Sequence, residues 1–179
     1  MGEHLQESPR PEAGNDVRPA TSDDLDDVNA IYNHYVVNSH ATFDLEPTTI
    51  EWRRDWFGHY AEAGRHRLLV AVGEDRLVGF TTSSRFRPKP AYDTSVETSV
   101  YVSPEAIGLG VGSVLYARLM AELEHEDVRR AVAGIALPNP ISVRLHERFG
   151  FREVGRFTEV GYKFGRFWDV AWFERPFGR

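Results

Sequence analysis

The chain has 179 residues, 41% of them hydrophobic, a formal net charge of −6 and no cysteine. That length supports one domain with a sizeable core, and the acidic balance argues against nucleic acid as the main partner. No apolar run approaches the ~20 residues of a membrane span, and the missing cysteines remove disulfides, thiolate metal ligands and a cysteine nucleophile.

Residues 1–15 are rich in Glu, Pro and Gly and poor in apolar groups, which predicts a mobile tail ahead of one domain over 16–179. The polar first ten residues lack the apolar centre of a secretory signal, which leads us to expect a cytoplasmic protein. Val17–Ala20 reads as an edge strand, limited by Pro19. Thr21 and Ser22 offer N-caps, and Leu25, Val28, Ile31, Tyr32 and Tyr35 recur at helical spacing. Residues 38–43 read as a loop or a short extended piece. Thr48-x-x-Glu51 then reads as a capping box opening a helix through Trp52, Trp56, Phe57 and Tyr60, with Gly64 as its stop. Leu68–Val72 and Leu77–Thr81 predict a β-hairpin, and Arg85–Tyr92, with its prolines and cations, predicts a loop.

Ser95–Val102 alternates, with Val96, Thr98, Val100 and Val102 on one face and Ser95, Glu97, Ser99 and Tyr101 on the other. This strand leads into Gly108-Leu-Gly-Val-Gly-Ser113 and a helix through Leu115, Leu119 and Leu123. A strand over Ala131–Ala136, a Pro138-Asn-Pro140 break and a short helix near Ser142–Phe149 follow, closed by Gly150. Strand, loop, helix and strand in that order predict a right-handed βαβ unit with parallel strands. Residues 151–160 and 168–173 read as two further strands.

The glycines can bring backbone N–H groups close to an anion, and a helix starting there adds its own unpaired donors. No Lys follows Gly112, so the loop is not a Walker loop. Ser113 stands where a dinucleotide fingerprint needs a glycine. On the loop alone, a pyrophosphate cradle and a plain glycine-rich turn both remain open.

Gly110-x-Gly112 after an apolar strand resembles the coenzyme A loop of the GNAT N-acetyltransferases, although Ile107 and Gly108 stand where that family usually has polar or basic residues. Asn139 and Gly150-Phe151 match its late helix. Tyr32-Asn-His-Tyr35, Tyr92-Asp93, Val96-Glu97, Val100-Tyr-Val-Ser-Pro104, His146-Glu147 and Gly161-Tyr-Lys-Phe-Gly165 are similar to the phosphinothricin and methionine sulfoximine N-acetyltransferase branch. The resemblance covers roughly residues 17–177. It implies an α/β fold whose mixed sheet splays open between the strands of Glu97 and Ile135, with acetyl-CoA in the gap. Backbone groups of Val100, Tyr101 and Val102 would then meet the pantetheine arm. Gly108, Leu109, Gly110, Val111, Gly112 and Ser113 would hold the pyrophosphate, and Asn139 would contact the coenzyme further along.

Acyl transfer to an amine needs a base, a polarised carbonyl and a proton for the leaving thiol. Glu97 matches the branch's base, and the alternative is a solvated strand carboxylate. A backbone N–H near Val100 would stabilise the oxyanion. His146 stands where many relatives place a tyrosine acid, and a helix-surface histidine with only a packing role is the alternative. Arg87, Lys89 and Tyr92 match positions that bind the acceptor's acidic groups, though the branch more often has Lys then Arg, and a solvated basic loop is the alternative. Phe43 matches an aromatic of the acceptor pocket. The histidines show no metal-ligand spacing, so no catalytic metal is expected. The expected function is direct acetylation of a small anionic amino-acid analogue, with acetylation of a polyamine or protein terminus, or coenzyme A sensing without turnover, as alternatives. Relatives suggest a homodimer, in which Phe164, Phe167, Trp168, Trp172 and Phe173 line either an interface or the core.

Overall fold

A computed structural model describes residues 16–74 and 76–178; the expected tail over 1–15 lies outside them. Strand β1 (Asp16–Pro19) leads through a 3-10 turn to helix α1 (Leu25–Asn38). Asp24 fixes this junction. Its carboxylate accepts from both terminal nitrogens of Arg18 at 2.7 Å and from the Thr21 backbone N–H at 2.7 Å, which lowers the Asp24 carboxyl below the usual carboxylate range.

Helix α2 (Ile50–Phe57) starts one residue later than expected. Thr49, not Thr48, is its cap, accepting from Trp52 N at 3.2 Å, and the helix stops at Gly58 rather than Gly64. The reason is Arg53, the most buried cation among the described residues. Its guanidinium donates to Asn29 Oδ1 and to Thr48 Oγ1 and lies 4.6 Å from the Tyr32 ring and 4.5 Å from the Trp56 ring. Thr48 is held against α1 and is not available as a cap.

The remaining elements follow the expected order: β2 (Arg67–Val72), β3 (Leu77–Arg85), β4 (Ser95–Val102), α3 (Val111–Leu123), β5 (Arg130–Leu137), α4 (Pro140–Arg148), β6 (Arg152–Lys163) and β7 (Arg166–Pro176). They form one seven-stranded sheet in the order β1-β2-β3-β4-β5-β7-β6. Only β4 and β5 are parallel, as the βαβ reading requires. One face carries α3 and α4 over Val96, Ala131, Ala133, Ile135 and Phe173. The other carries α1 and α2 over Leu68, Val70 and Phe80. Leu115, Leu119 and Leu123 of α3 are fully buried, so truncating any one to Ala costs about 2–5 kcal/mol. Among the described residues no helix is long and apolar enough to cross a membrane.

Candidate active site

The pairing of β4 with β5 lasts only three residues, Ser95–Arg130 to Glu97–Val132, and then the strands part. Which backbone groups line the resulting gap follows from the neighbouring ladders. Ser103 N donates to Val78 O at 2.8 Å, so by antiparallel alternation Glu97, Ser99 and Tyr101 turn their backbone groups to β3. Thr98, Val100 and Val102 turn theirs toward β5. On β5, Phe177 N donates to Arg129 O at 3.2 Å, which places Val132, Gly134 and Ala136 on the β4 side. Thr98 Oγ1 meets Val132 O at 3.4 Å at the vertex of the fork, and Tyr35 donates its hydroxyl to Val102 O at 2.6 Å. Tyr101 departs from the expectation: its backbone belongs to β3, and its ring stacks on Phe80 at 5.3 Å and meets Tyr32 edge-on at 5.2 Å.

The fork opens into a cleft of about 610 Å³ that reaches the glycine loop and α4. Gly108 and Gly110 have φ of +85° and +82°, and no atom lies within 4 Å of where a Cβ would stand on either. Only glycine takes this conformation readily, and the bare backbone is open to a ligand. Gly110 begins α3 without a side-chain cap, leaving the first-turn N–H groups of Val111 and Gly112 without helical acceptors. Leu109 N and Ser113 N are already bound, to Ala106 O at 3.2 Å and Gly110 O at 2.9 Å, so the cradle is narrower than the whole loop. Asn139 is the N-cap of α4, accepting from Ser142 N at 3.2 Å, and lines the same cleft.

Arg144, which belongs to a segment similar to the branch but has no binding role assigned from the sequence, and Arg148, which the sequence does not single out, also line the cleft from α4, and Arg148 lies 3.4 Å from the Ser113 hydroxyl. Their i, i+4 spacing puts both on one helix face, a signal present in the sequence. They supply the positive charge that Ile107 and Gly108 do not.

Glu97 is half-buried on the α1 side of the sheet. Burial raises its carboxyl above the usual range, and the Arg87 guanidinium pulls it partway back. Arg87 itself is exposed, 4.4 Å over the Phe86 ring. Tyr92 meets Phe86 edge-on at 6.0 Å, and exposed Lys89 begins the 3-10 turn over Pro90–Tyr92. Phe43 rests on Gly161 of β6, and the neighbouring Thr42 O accepts from the buried Lys163 ammonium at 2.7 Å.

His146 is buried, with 3% exposure, so it does not lie on the helix surface, and its ring packs edge-on against Tyr116 and Phe151. Nδ1 faces Ser142 O at 2.8 Å and Nε2 faces the Tyr116 hydroxyl at 2.8 Å, itself 3.0 Å from Thr98 Oγ1. A carbonyl only accepts, so Nδ1 carries a hydrogen. Burial lowers the imidazole pKa, and the resting neutral ring therefore accepts at Nε2. Among the described residues no group of three or more His, Asp or Glu side chains is arranged to hold a metal ion.

Fork, glycine loop and half-buried carboxylate together make up a candidate acyltransferase site of the coenzyme A type. Residues 17–172 match the family model described as acetyltransferase (GNAT) domain, and the chain belongs to that family and is an N-acetyltransferase. Within it, the chain is 56% identical to a phosphinothricin N-acetyltransferase of Streptomyces coelicolor, over 89% of this chain and 95% of the relative. It is 32% identical to an L-methionine sulfoximine/L-methionine sulfone acetyltransferase of Pseudomonas paraeruginosa, over 88% and 92%. A solved GNAT phosphinothricin acetyltransferase from Sinorhizobium meliloti, in complex with acetyl-CoA, superposes with a TM-score of 0.86 at 32% identity, covering 92% of this chain and 89% of that one.

Proposed function

We infer that this protein acetylates the α-amine of a small anionic amino-acid analogue such as phosphinothricin or methionine sulfoximine. The observation that carries the reading is a half-buried Glu97 at the base of the fork, beside the Arg87 guanidinium. Acetyl-CoA supplies the acyl group as a thioester. The residues present fit it: the strand edge of Val100 and the Val102 N–H, beside a Val102 carbonyl already bound by Tyr35, for the amides of its arm, and Val111 N–H and Gly112 N–H with Arg144 and Arg148 for its phosphates. Both substrates reach the fork together, so transfer is direct and needs no acyl-enzyme.

Glu97 takes the proton that makes the amine nucleophilic, its raised pKa bringing it nearer the amine's own. The Val100 N–H stabilises the oxyanion. His146 lines the cleft, held through Nε2 by the Tyr116 hydroxyl; its resting neutral ring carries only the Nδ1–H bound to Ser142 O, so as the proton source for the departing thiol it passes on a proton that it has first taken up. Arg87 holds the acceptor's carboxylate, with Lys89, Tyr92 and Phe43 enclosing the rest.

A homodimer also fits. Edge strand β6 is exposed on both faces over Arg152–Val160 and carries Val154, Phe157 and Val160 at its surface, with Tyr162 next along. Such an apolar edge invites a partner strand or sheet.

The test is free-thiol release from acetyl-CoA with L-phosphinothricin, L-methionine sulfoximine, L-methionine sulfone, spermidine and a peptide amine. Turnover confined to the first three supports the reading. Turnover only with spermidine or peptide replaces the acceptor, and coenzyme A binding without turnover favours a sensor. Glu97→Gln lowers kcat by about 10²–10⁴-fold with coenzyme affinity intact; an unchanged kcat removes Glu97 from the role.

A further inference from the structure

Trp172 lies on β7 directly opposite Gly134 of β5, and its indole crosses over that glycine. The ring atoms Cζ2 and Cη2 lie 3.4 Å from where a Gly134 Cβ would stand. These atoms form the far edge of the indole, so the side chain reaches from β7 across β5 toward β4 and the fork. Gly134 lines the cleft, and the ring packs over it at the distance of an ordinary van der Waals contact from a Cβ there. On its other side the indole meets Phe86 edge-on at 6.1 Å and the Arg87 guanidinium at 6.0 Å. Trp172 thus shares the Glu97 face of the sheet with the cation assigned to the acceptor.

Its Nε1–H is buried and has no hydrogen-bond partner among the described residues. The other β7 tryptophan differs: Trp168 Nε1 donates to Lys163 O at 2.9 Å. A buried donor without an acceptor is costly to keep. By covalent geometry Nε1 is next but one to Cζ2, on the edge that lies over Gly134.

Resting on the acceptor class inferred above, we propose that Trp172 is a specificity residue of the acceptor pocket. Its Nε1–H donates to an oxygen on the acceptor's side chain, of the sulfonyl, sulfoximine or phosphinyl kind, and its ring covers the adjoining methyl and methylenes. The division of labour with Arg87 follows from charge. The guanidinium suits the full charge of the α-carboxylate, whereas a neutral N–H in an apolar wall suits an oxygen of lower charge.

The test is acceptor discrimination by Trp172→Phe, which keeps an aromatic ring and removes the N–H. Relative to the unmodified protein, KM for L-methionine sulfone rises roughly tenfold, the size of one net hydrogen bond, with KM for acetyl-CoA unchanged. For L-methionine, which lacks the side-chain oxygens, KM or its inhibition constant against the sulfone stays within about twofold on the same ground. An equal penalty for both, or none, overturns the proposal and leaves the enzyme reading standing. Absence of turnover by the unmodified protein with every anionic acceptor removes that reading and this proposal with it. A second measurement does not depend on the variant's folding. In the 15N-labelled protein with coenzyme A, L-methionine sulfone moves the Trp172 indole proton downfield, assigned by elimination with Trp52→Phe, Trp56→Phe and Trp168→Phe. A Trp172 signal that stays in place under saturating sulfone overturns the proposal.

Discussion

Gly161 and Phe43, far apart in sequence, occupy one another's space: a Cβ on Gly161 would lie 2.7 Å from Phe43 Cε1 and closer still to the ring's other edge. The bare backbone of β6 is therefore what lets the 39–48 loop settle with its aromatic ring inward. Gly161→Ala forces the ring out, an overpacking that costs about 1–3 kcal/mol. If Phe43 forms part of the acceptor wall, KM for the acceptor rises while KM for acetyl-CoA holds, and adding Phe43→Ala to Gly161→Ala worsens it no further. Steady-state kinetics in both substrates separate this from a general loss of fold, which lowers the active fraction and with it kcat without raising one KM alone.

The acid limb of the rate profile reports Glu97. Burial raises its pKa and Arg87 opposes that rise, so kcat/KM falls as pH drops through a value above the ordinary carboxylate range. Arg87→Met removes the opposing cation and moves the limb to higher pH. A limb that stays put under this substitution separates the two groups.

Tyr116 and His146 are coupled by one hydroxyl hydrogen, which cannot serve Nε2 and Thr98 Oγ1 at once. Tyr116→Phe leaves Nε2 unpartnered in a buried site, and kcat falls by about 10²-fold if the pair protonates the thiol. A kcat within twofold of normal excludes the pair from that step.

The same histidine makes stability pH-dependent. Its folded pKa lies below the unfolded value of about 6.5, so above that value both states are neutral and the full stability is present. As pH falls below 6.5 the unfolded chain binds the proton first, and stability is lost down through the folded pKa. The melting temperature of His146→Gln therefore falls less between neutral pH and pH 5 than that of the unmodified protein. Parallel curves would show that another group dominates.

If β6 is a subunit interface, Phe157→Glu together with Val160→Glu halves the mass seen by light scattering. Both side chains are exposed, so the protomer's own core is untouched. An unchanged mass moves any interface elsewhere.

Chain order and period carried most of the fold. The alternation of Ser95–Val102, the glycines before Val111 and the apolar spacing of Leu115, Leu119 and Leu123 are local properties, and local rules read them. What failed locally failed for a tertiary reason: Thr48 has the right spacing for a cap, but the buried Arg53 takes its hydroxyl. The candidate residues Glu97, His146, Arg87 and Asn139 were legible by type and position. Their states were not, because burial of His146, the Tyr116 partner and the Arg87 field at Glu97 arise from elements brought together by the sheet. Trp172 reads along the chain as one more aromatic. Only the pairing of β7 with β5, at Gly134, turns its ring toward the fork, because a strand neighbour is set by register and not by distance along the sequence.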